Sequence, residues 1–486
     1  MRRTVAPGYF DGTLFASLDP QERRDLPERT KSFWKMAGPG AILVGLSIGA
    51  GEIVIWPRIV AEHGASMVWA AVLGVFLQMF VNLEIARWTI ATGETVYTGM
   101  ARVWRGFGPV FILLTFLAWL APGWARASGL ALKALLVGPD GFGTDTFWTV
   151  VTFAAAAAIL FGPKVAYLAV ERTVEALVVI VTIGLVLVAI AVGTADAWRE
   201  LGAGIVNVGY RAPGMTVKAL FVAIVFAGAG GTANLFYSFY LRDKGIGMGA
   251  HVPTLQNPLR GRPEAIASTG FTFEGDEENV RRFRSWWAYI KQDQALFFWG
   301  LNTVTILLFI FGALAVLYPQ GVVPAAGSLI WDEAAILEGV WGPAGRTLFL
   351  LVGLATLFST QLAVLDGVAR SLADIVHTNF AAARARSVNW WYLVVASVWI
   401  VAGCAITWVM ESAGVTELGF LFNAAYMGGF AMAIYVPVNL YMNYRFLPAA
   451  ARPGLVCTGM AGLAGTIYVG FALASLWWEI MGGGSR

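Results

Sequence analysis

Glu52 is where the chemistry of this chain begins. It stands in the stretch from Gly38 to Gly64, an apolar run long enough to cross a bilayer, beside Gly45, Gly49, Ala50 and Gly51. A glycine inside a helix gives up about 1 kcal/mol relative to alanine, so a cluster of them makes unwinding easy at that depth. Backbone freed there must face protein or a water-filled cavity, because lipid offers no hydrogen bonds, and a carboxylate beside it can meet a polar passenger. A second apolar run repeats the pattern with Gly228, Gly230, Gly231, Thr232 and Asn234 at its middle and Phe236 and Tyr237 just beyond. Gln361, in "LFSTQLAVLDG", adds an amide. The candidate binding set is therefore Gly49, Gly51, Glu52, Gly228, Gly231, Thr232, Asn234, Tyr237 and Gln361, with Glu52 its one charged metal ligand. These are hard oxygen ligands, which suit Mg²⁺, Ca²⁺ or Mn²⁺ rather than soft metals, and the ion would keep several waters.

A second set of charges can gate or couple: Arg58, Glu62, Glu84, Arg126, Glu175, Asp366 and Arg370. Arg126 falls inside an apolar segment, where an arginine costs roughly 2.5–3.5 kcal/mol on insertion scales, so it requires a partner. Glu52 is one candidate, the carboxylate of an organic substrate another, and a packed polar face is the plain alternative. Arg58 and Glu62 are four apart, and Glu84 and Arg87 three apart, which are spacings of ordinary helical pairs. Asp366, Arg370 and Asp374 form either a gate or an interfacial cluster. His63, His251 and His377 fall near interfaces or in connectors, so a proton route would use Glu52, Glu84, Glu175 or Asp366; coupling to Na⁺ is equally open.

The elements that must position these residues follow from composition. Of 486 residues, 58% are hydrophobic and 13% charged, with a mean hydropathy of +0.68, whereas soluble domains carry about 25% charged residues. The chain reads as an all-α polytopic membrane protein, and its 20 Trp, 31 Phe and 56 Gly fit interfacial aromatic belts and close helix packing. A net charge of +3 implies no nucleic-acid partner. Cys404 and Cys457 lie in apolar runs and offer neither a disulfide framework nor a zinc site. With roughly 20 apolar residues per crossing, eleven spans fall near 37–63, 66–92, 108–136, 145–162, 166–193, 215–241, 295–318, 345–371, 389–410, 416–443 and 456–480.

Alternate connectors carry the bulk of the arginine and lysine, including Arg102, Arg105, Arg242, Lys244, Arg281, Arg282, Arg384 and Arg386. By the positive-inside rule this places the N-terminus in the cytoplasm and the C-terminus outside, in a cell (inner) membrane. Residues 1–36 read as a cytoplasmic tail, 37–195 and 214–446 as two five-span repeats, and 455–481 as an eleventh span. "EGDEENVRRFRSWWAYIKQDQ" reads as an amphipathic helix along the membrane surface. No cofactor motif, phosphate loop or nucleophile set is present, so an enzyme is not indicated. The expected partners are the lipid bilayer and a small ion or molecule, with the oligomeric state open.

The two glycine-rich breaks stand five spans apart. Matched interruptions in two halves point to a secondary transporter of inverted repeats with its site at mid-membrane, and five being odd makes the halves opposite in topology. Packing through the small-residue pair Gly45 and Gly49 is the plain account of one such span; two matched spans, one with an acid, outweigh it.

Gly38-Pro39-Gly40 before the first break, "ERTVEAL" from Glu171 to Leu177, and "TANLFYS" after the second break together resemble the Nramp family of divalent-metal transporters. The resemblance implies a LeuT-like fold of 5+5 helices, here plus an eleventh, with spans one and six unwound. The departures from that family fall on the site. Its Asp-Pro-Gly-Asn corresponds to Gly49-Ala50-Gly51-Glu52 and its Met-Pro-His to Gly231-Thr232-Ala233, while acids of its third helix correspond to Gly123 and Arg126. The expectation is thus a symporter-type carrier working by alternating access on a hard divalent cation such as Mg²⁺ or Mn²⁺. The alternative is the same machine moving a small organic solute, amino-acid or organic-acid like, coupled to H⁺ or Na⁺.

Overall fold

The computed structural model describes residues 15–49, 51–260, 264–267, 269–323, 331, 334, 337–339, 341–415 and 417–481. Ala50, the first residues of the N-terminal tail and much of the connector before span eight lie outside them. Among the described residues, eight helical runs are long and apolar enough to cross a membrane, and one of these, Pro39–Thr92, contains the first two expected spans. Asp145–Phe161 is a shorter apolar helix in the fourth position. The sixth is divided into Val217–Val225 and Tyr237–Asp243 around its break. All eleven expected spans are therefore present among the described residues.

Three boundaries differ from the sequence expectation. The third span is two helices, Phe107–Trp119 and Gly123–Val137, because Pro122 lacks an N–H and restricts the residue before it. The amphipathic segment is helical over Glu277–Asp293, but it runs unbroken into span seven through a widened turn at Gln294–Leu301. It does not lie free on a surface. Its inward face packs on the N-terminal segment, where Asn279 accepts from the Leu26 N–H at 2.8 Å and Trp286 and Tyr289 donate to the carbonyls of Pro27 and Met36. Residues 15–36 are accordingly a strap across the bundle rather than a loose tail. Glu22–Arg23 pair in parallel with Phe271–Thr272, and the Ala16 N–H reaches the Asn379 carbonyl at 2.8 Å.

Span eight, Pro343–Asn379, is the axis of the bundle and packs on spans one, three, five and nine. Span ten, Glu417–Phe446, packs on spans three, six and eleven. Large apolar side chains left on the outside, such as Leu113, Ile183, Ile190 and Val401, form the belt a bilayer would cover.

Candidate functional site

In span one the helix Pro39–Ser47 makes its last regular bond at Ile48, whose N–H reaches the Val44 carbonyl. The Gly49 carbonyl then receives both the Glu52 and Ile53 N–H groups, at 3.0 and 3.1 Å, and a wide turn over Gly51–Ile55 leads into Trp56–His63. Such π-type turns concentrate at functional sites because they turn side chains off the regular helical register. Hydroxyls of span eight cover carbonyls ahead of the break: Ser359 donates to Gly45 at 2.8 Å and Thr360 to Leu46 at 3.4 Å.

In span six the chain leaves helical geometry after Val225 and resumes as a tight turn over Gly231–Phe236. Gly230 and Gly231 have φ of +65° and +55°, a conformation that residues with a Cβ rarely adopt. The freed backbone is taken up by side chains of other spans. Gln78 of span two accepts from the Gly230 N–H at 3.0 Å and donates to the Val225 carbonyl at 2.9 Å. Asn302 of span seven donates to the Ala227 carbonyl at 3.1 Å, and Tyr435 of span ten to the Gly231 carbonyl at 3.0 Å. Trp119 donates to the Thr232 hydroxyl at 2.9 Å and stacks on Phe226.

The two breaks touch. A side chain on Gly51 would collide with the Phe226 carbonyl, so only glycine allows the backbones this approach. Beside that contact stands Glu52, 0% exposed, with neither carboxylate oxygen in a hydrogen bond among the described residues. The turn that carries it packs on span seven, where the Thr305 hydroxyl stands near the carboxylate but donates to the Asn302 carbonyl at 3.1 Å. Other buried amides are incompletely satisfied: both polar atoms of Gln361 and the carbonyl oxygens of Asn234 and Asn302 have no partner, nor has the Ser47 hydroxyl. Buried polar atoms are nearly always hydrogen-bonded, and an ionised carboxylate without a partner in a low dielectric is expensive. No group of three or more His, Cys, Asp or Glu able to hold a metal occurs among the described residues. A cation here would meet one carboxylate, amide and hydroxyl oxygens, and its own water.

The remaining expected residues fall elsewhere. Tyr237 does not reach the breaks; its hydroxyl donates to Asp293 at 2.5 Å. Asp293 lies against Gly40 at the N-terminus of span one, which explains the small residues of Gly38-Pro39-Gly40. Glu171 closes the other side, held by Lys244 at 2.6 Å and Tyr167 at 2.8 Å. Arg126 does not pair with Glu52: it binds Asp145 at 3.1 Å and the Val415 carbonyl, in a cluster with Lys133 at the far ends of spans three and four. Arg58 and Glu62 form the expected pair at 3.1 Å near the surface. Glu84 is locked by Arg87 at 2.9 Å and by Asn443 at 2.8 Å, and the Arg87 guanidinium lies over Trp287. Glu175 is half-buried on span five.

Asp366 and Arg370 belong to a larger buried network. Arg370 binds Asp366 at 2.7 Å and also Asp243 of span six, Tyr392 donates to Asp366 at 2.8 Å, and Arg242 and Thr95 both hold Asp374. Residues missed from the sequence are Gln78, Asn302, Thr305, Tyr435 and Trp119 at the breaks, and Asp243 in the network. Gln78 and Asn82 in "VFLQMFVNLE" carried a signal, since polar residues inside an apolar span are rarely idle.

No protein-family model matches the chain, and no curated protein matches it in sequence. Solved structures do resemble it. A histidine-to-alanine variant of the Eremococcus coleocola manganese transporter superposes with a TM-score of 0.68 at 17% identity, covering 96% of this chain and 92% of that one. MhsT in complex with L-phenylalanine gives 0.53 at 14% identity over 92% and 99% of the two chains. Mhp1, a nucleobase-cation-symport-1 family transporter in a closed conformation with bromovinylhydantoin bound, gives 0.51 at 16% over 94% and 90%. The chain has the LeuT-like fold, with 5+5 helices, an eleventh beyond them, and spans one and six broken at the same level.

Proposed function

We propose that the chain is a secondary active transporter that moves a hard divalent cation of the Mg²⁺ or Mn²⁺ class by alternating access, with Glu52 as its charged ligand. The observation that carries this reading is the state of Glu52: buried at the contact of two helix breaks, with both oxygens free of hydrogen bonds. A cation supplies the missing partner. Asn234, Asn302 and Gln361, whose buried oxygens have no partner among the described residues, are the neutral ligands of this scheme, and a single carboxylate suits an ion that retains part of its hydration. Arg126, the group that would read an organic anion, is engaged with Asp145 and the Val415 carbonyl. The manganese transporter among the similar structures lends the reading weight by fold alone, since its sequence identity is low.

In this scheme the repeats at 37–195 and 214–446 rock about the breaks, and the Arg370, Asp366, Asp243 and Asp374 network closes the passage at the cytoplasmic end. The N-terminus lies in the cytoplasm and the C-terminus outside. One feature favours the organic alternative: the stacked Trp119 and Phe226 rings flank Thr232, a surface suited to a small planar or apolar body.

Uptake into proteoliposomes decides between them. Saturable Mn²⁺ or Mg²⁺ uptake that Glu52→Gln abolishes is the expected result. Uptake of an amine-bearing solute with no metal movement transfers Glu52 to the organic reading, and metal uptake indifferent to Glu52→Gln overturns the assignment of the site.

A further inference from the structure

Where span two is joined to span three, two guanidinium groups, Arg102 and Arg105, line one groove, and the charge of a third, Arg384, acts on Arg105. Arg102 is neutralised: it clasps Glu94 and donates to the Asp19 carbonyl at 3.3 Å. Arg384 donates to the Ser17 and Thr378 carbonyls, at 3.0 and 3.2 Å, while the Asp19 carboxylate acts on it without a hydrogen bond and its Nε has no acceptor. Arg105, in the connector after Val96–Val103, has less still: both Nη atoms are buried and neither meets an acceptor. Burial and the charges of Arg384 and Arg102 all push its pKa below the ordinary arginine value, yet a guanidinium stays charged at neutral pH. A half-buried guanidinium whose Nη atoms are covered and unpaired, set among other cations, wants an anion.

The groove beside it has a volume of about 560 Å³ and opens outward. Its wall is mixed: Leu18, Val103, Trp104 and Phe446 give the apolar part, and Gln21, Arg102 and Arg105 the polar part. Trp104 is 58% exposed and meets Phe107 edge-on, the placement of an aromatic at a membrane–water interface. We propose that this groove binds a phosphate-bearing anion through Arg105, with Arg384 behind it, and that the Trp104 and Phe446 wall selects an anionic phospholipid headgroup with the start of its chain. Guanidinium forks match phosphate oxygens in pairs, and basic pockets between spans take headgroups of this kind. The inference does not depend on what the protein carries.

The test uses full-length protein in detergent, titrated with phosphatidylglycerol, phosphatidylcholine or inorganic phosphate, read by native mass spectrometry and by the thermal midpoint. Phosphatidylglycerol is expected to stay bound and raise the midpoint, phosphatidylcholine not to, and Arg105→Gln to weaken retention about tenfold or more. Arg105→Lys keeps part of the binding. If inorganic phosphate binds instead and competes at the same arginine, the source is a soluble phosphate and the phosphate site stands. Arg105→Gln should fold with an unchanged or higher midpoint in the absence of ligand, because it removes a half-buried charge that lies among other cations. Binding of neither anion, or equal binding by Arg105→Gln, overturns the proposal.

Discussion

Spans one and six are broken at the same level but are finished differently. At span six the loosened backbone is pinned by three side chains from three other spans, Gln78, Asn302 and Tyr435, so the break is a fixed piece of architecture. At span one the backbone is held by close packing and by two hydroxyls of span eight on Gly45 and Leu46, while the one charged side chain, Glu52, makes no hydrogen bond among the described residues. Matched sequence features have thus taken unequal parts. One break supplies a rigid wall, and the other presents the group whose bonding is incomplete until something else arrives.

The largest expected effect tests the unpartnered side of this contrast. Glu52→Gln should reduce cation affinity by at least about 30-fold, the equivalent of about 2 kcal/mol for removing one member of a buried charge pair. Its thermal midpoint should hold or rise, since a lone buried acid is removed. A clear loss of stability in that variant would show that Glu52 holds the fold rather than the passenger.

Arg370→Ala is expected to act in the opposite sense. It strips the partner from Asp366 and Asp243 together, so stability should fall by about 3–5 kcal/mol, measured by thermal or denaturant unfolding in detergent. Gln78→Leu should cost less, about 2 kcal/mol in all, about 1 kcal/mol for each of the Gly230 N–H and Val225 carbonyl groups it leaves unsatisfied at the span-six break. Transport would then be lost in proportion to folded protein, which counting folded carrier in the same vesicles can check. Tyr435→Phe removes a single bond to the Gly231 carbonyl and should cost about 1 kcal/mol. The smallest effect belongs to Arg58→Gln, whose half-exposed pair with Glu62 should contribute under about 1 kcal/mol and leave uptake unchanged. If Arg58→Gln instead abolished uptake, the gate would have to be sought at that end of span one.

Much of the fold was legible because it rests on local patterns. Apolar runs of spanning length gave all eleven spans, and glycine clusters gave both breaks at Gly49–Gly51 and Gly228–Gly231. Where local signals misled, the cause was a distant contact. The 277–293 segment has the amphipathic pattern of a surface helix, but the face that would meet lipid is covered by residues 26–36. Tyr237 follows the break in sequence, yet one further turn of helix carries its hydroxyl to Asp293. Arg126 was expected to require a partner and has one, though Asp145 lies on the next span and not at the site.

Hydropathy, glycine placement and the odd spacing of the two breaks were determined by sequence alone, because helix formation and bilayer crossing depend on residues near one another in the chain. Which polar groups are satisfied was decided only by tertiary structure. Gln78 and Gly230 are separated by 152 residues, and Ser359 and Gly45 by 314. Hydrogen bonding depends on distance and angle between such groups, and no local pattern encodes either. That is why Glu52 could be recognised as a charge at a break from sequence, while its burial with no counter-charge among the described residues and only the Thr305 hydroxyl near it emerged once the eleven spans were packed.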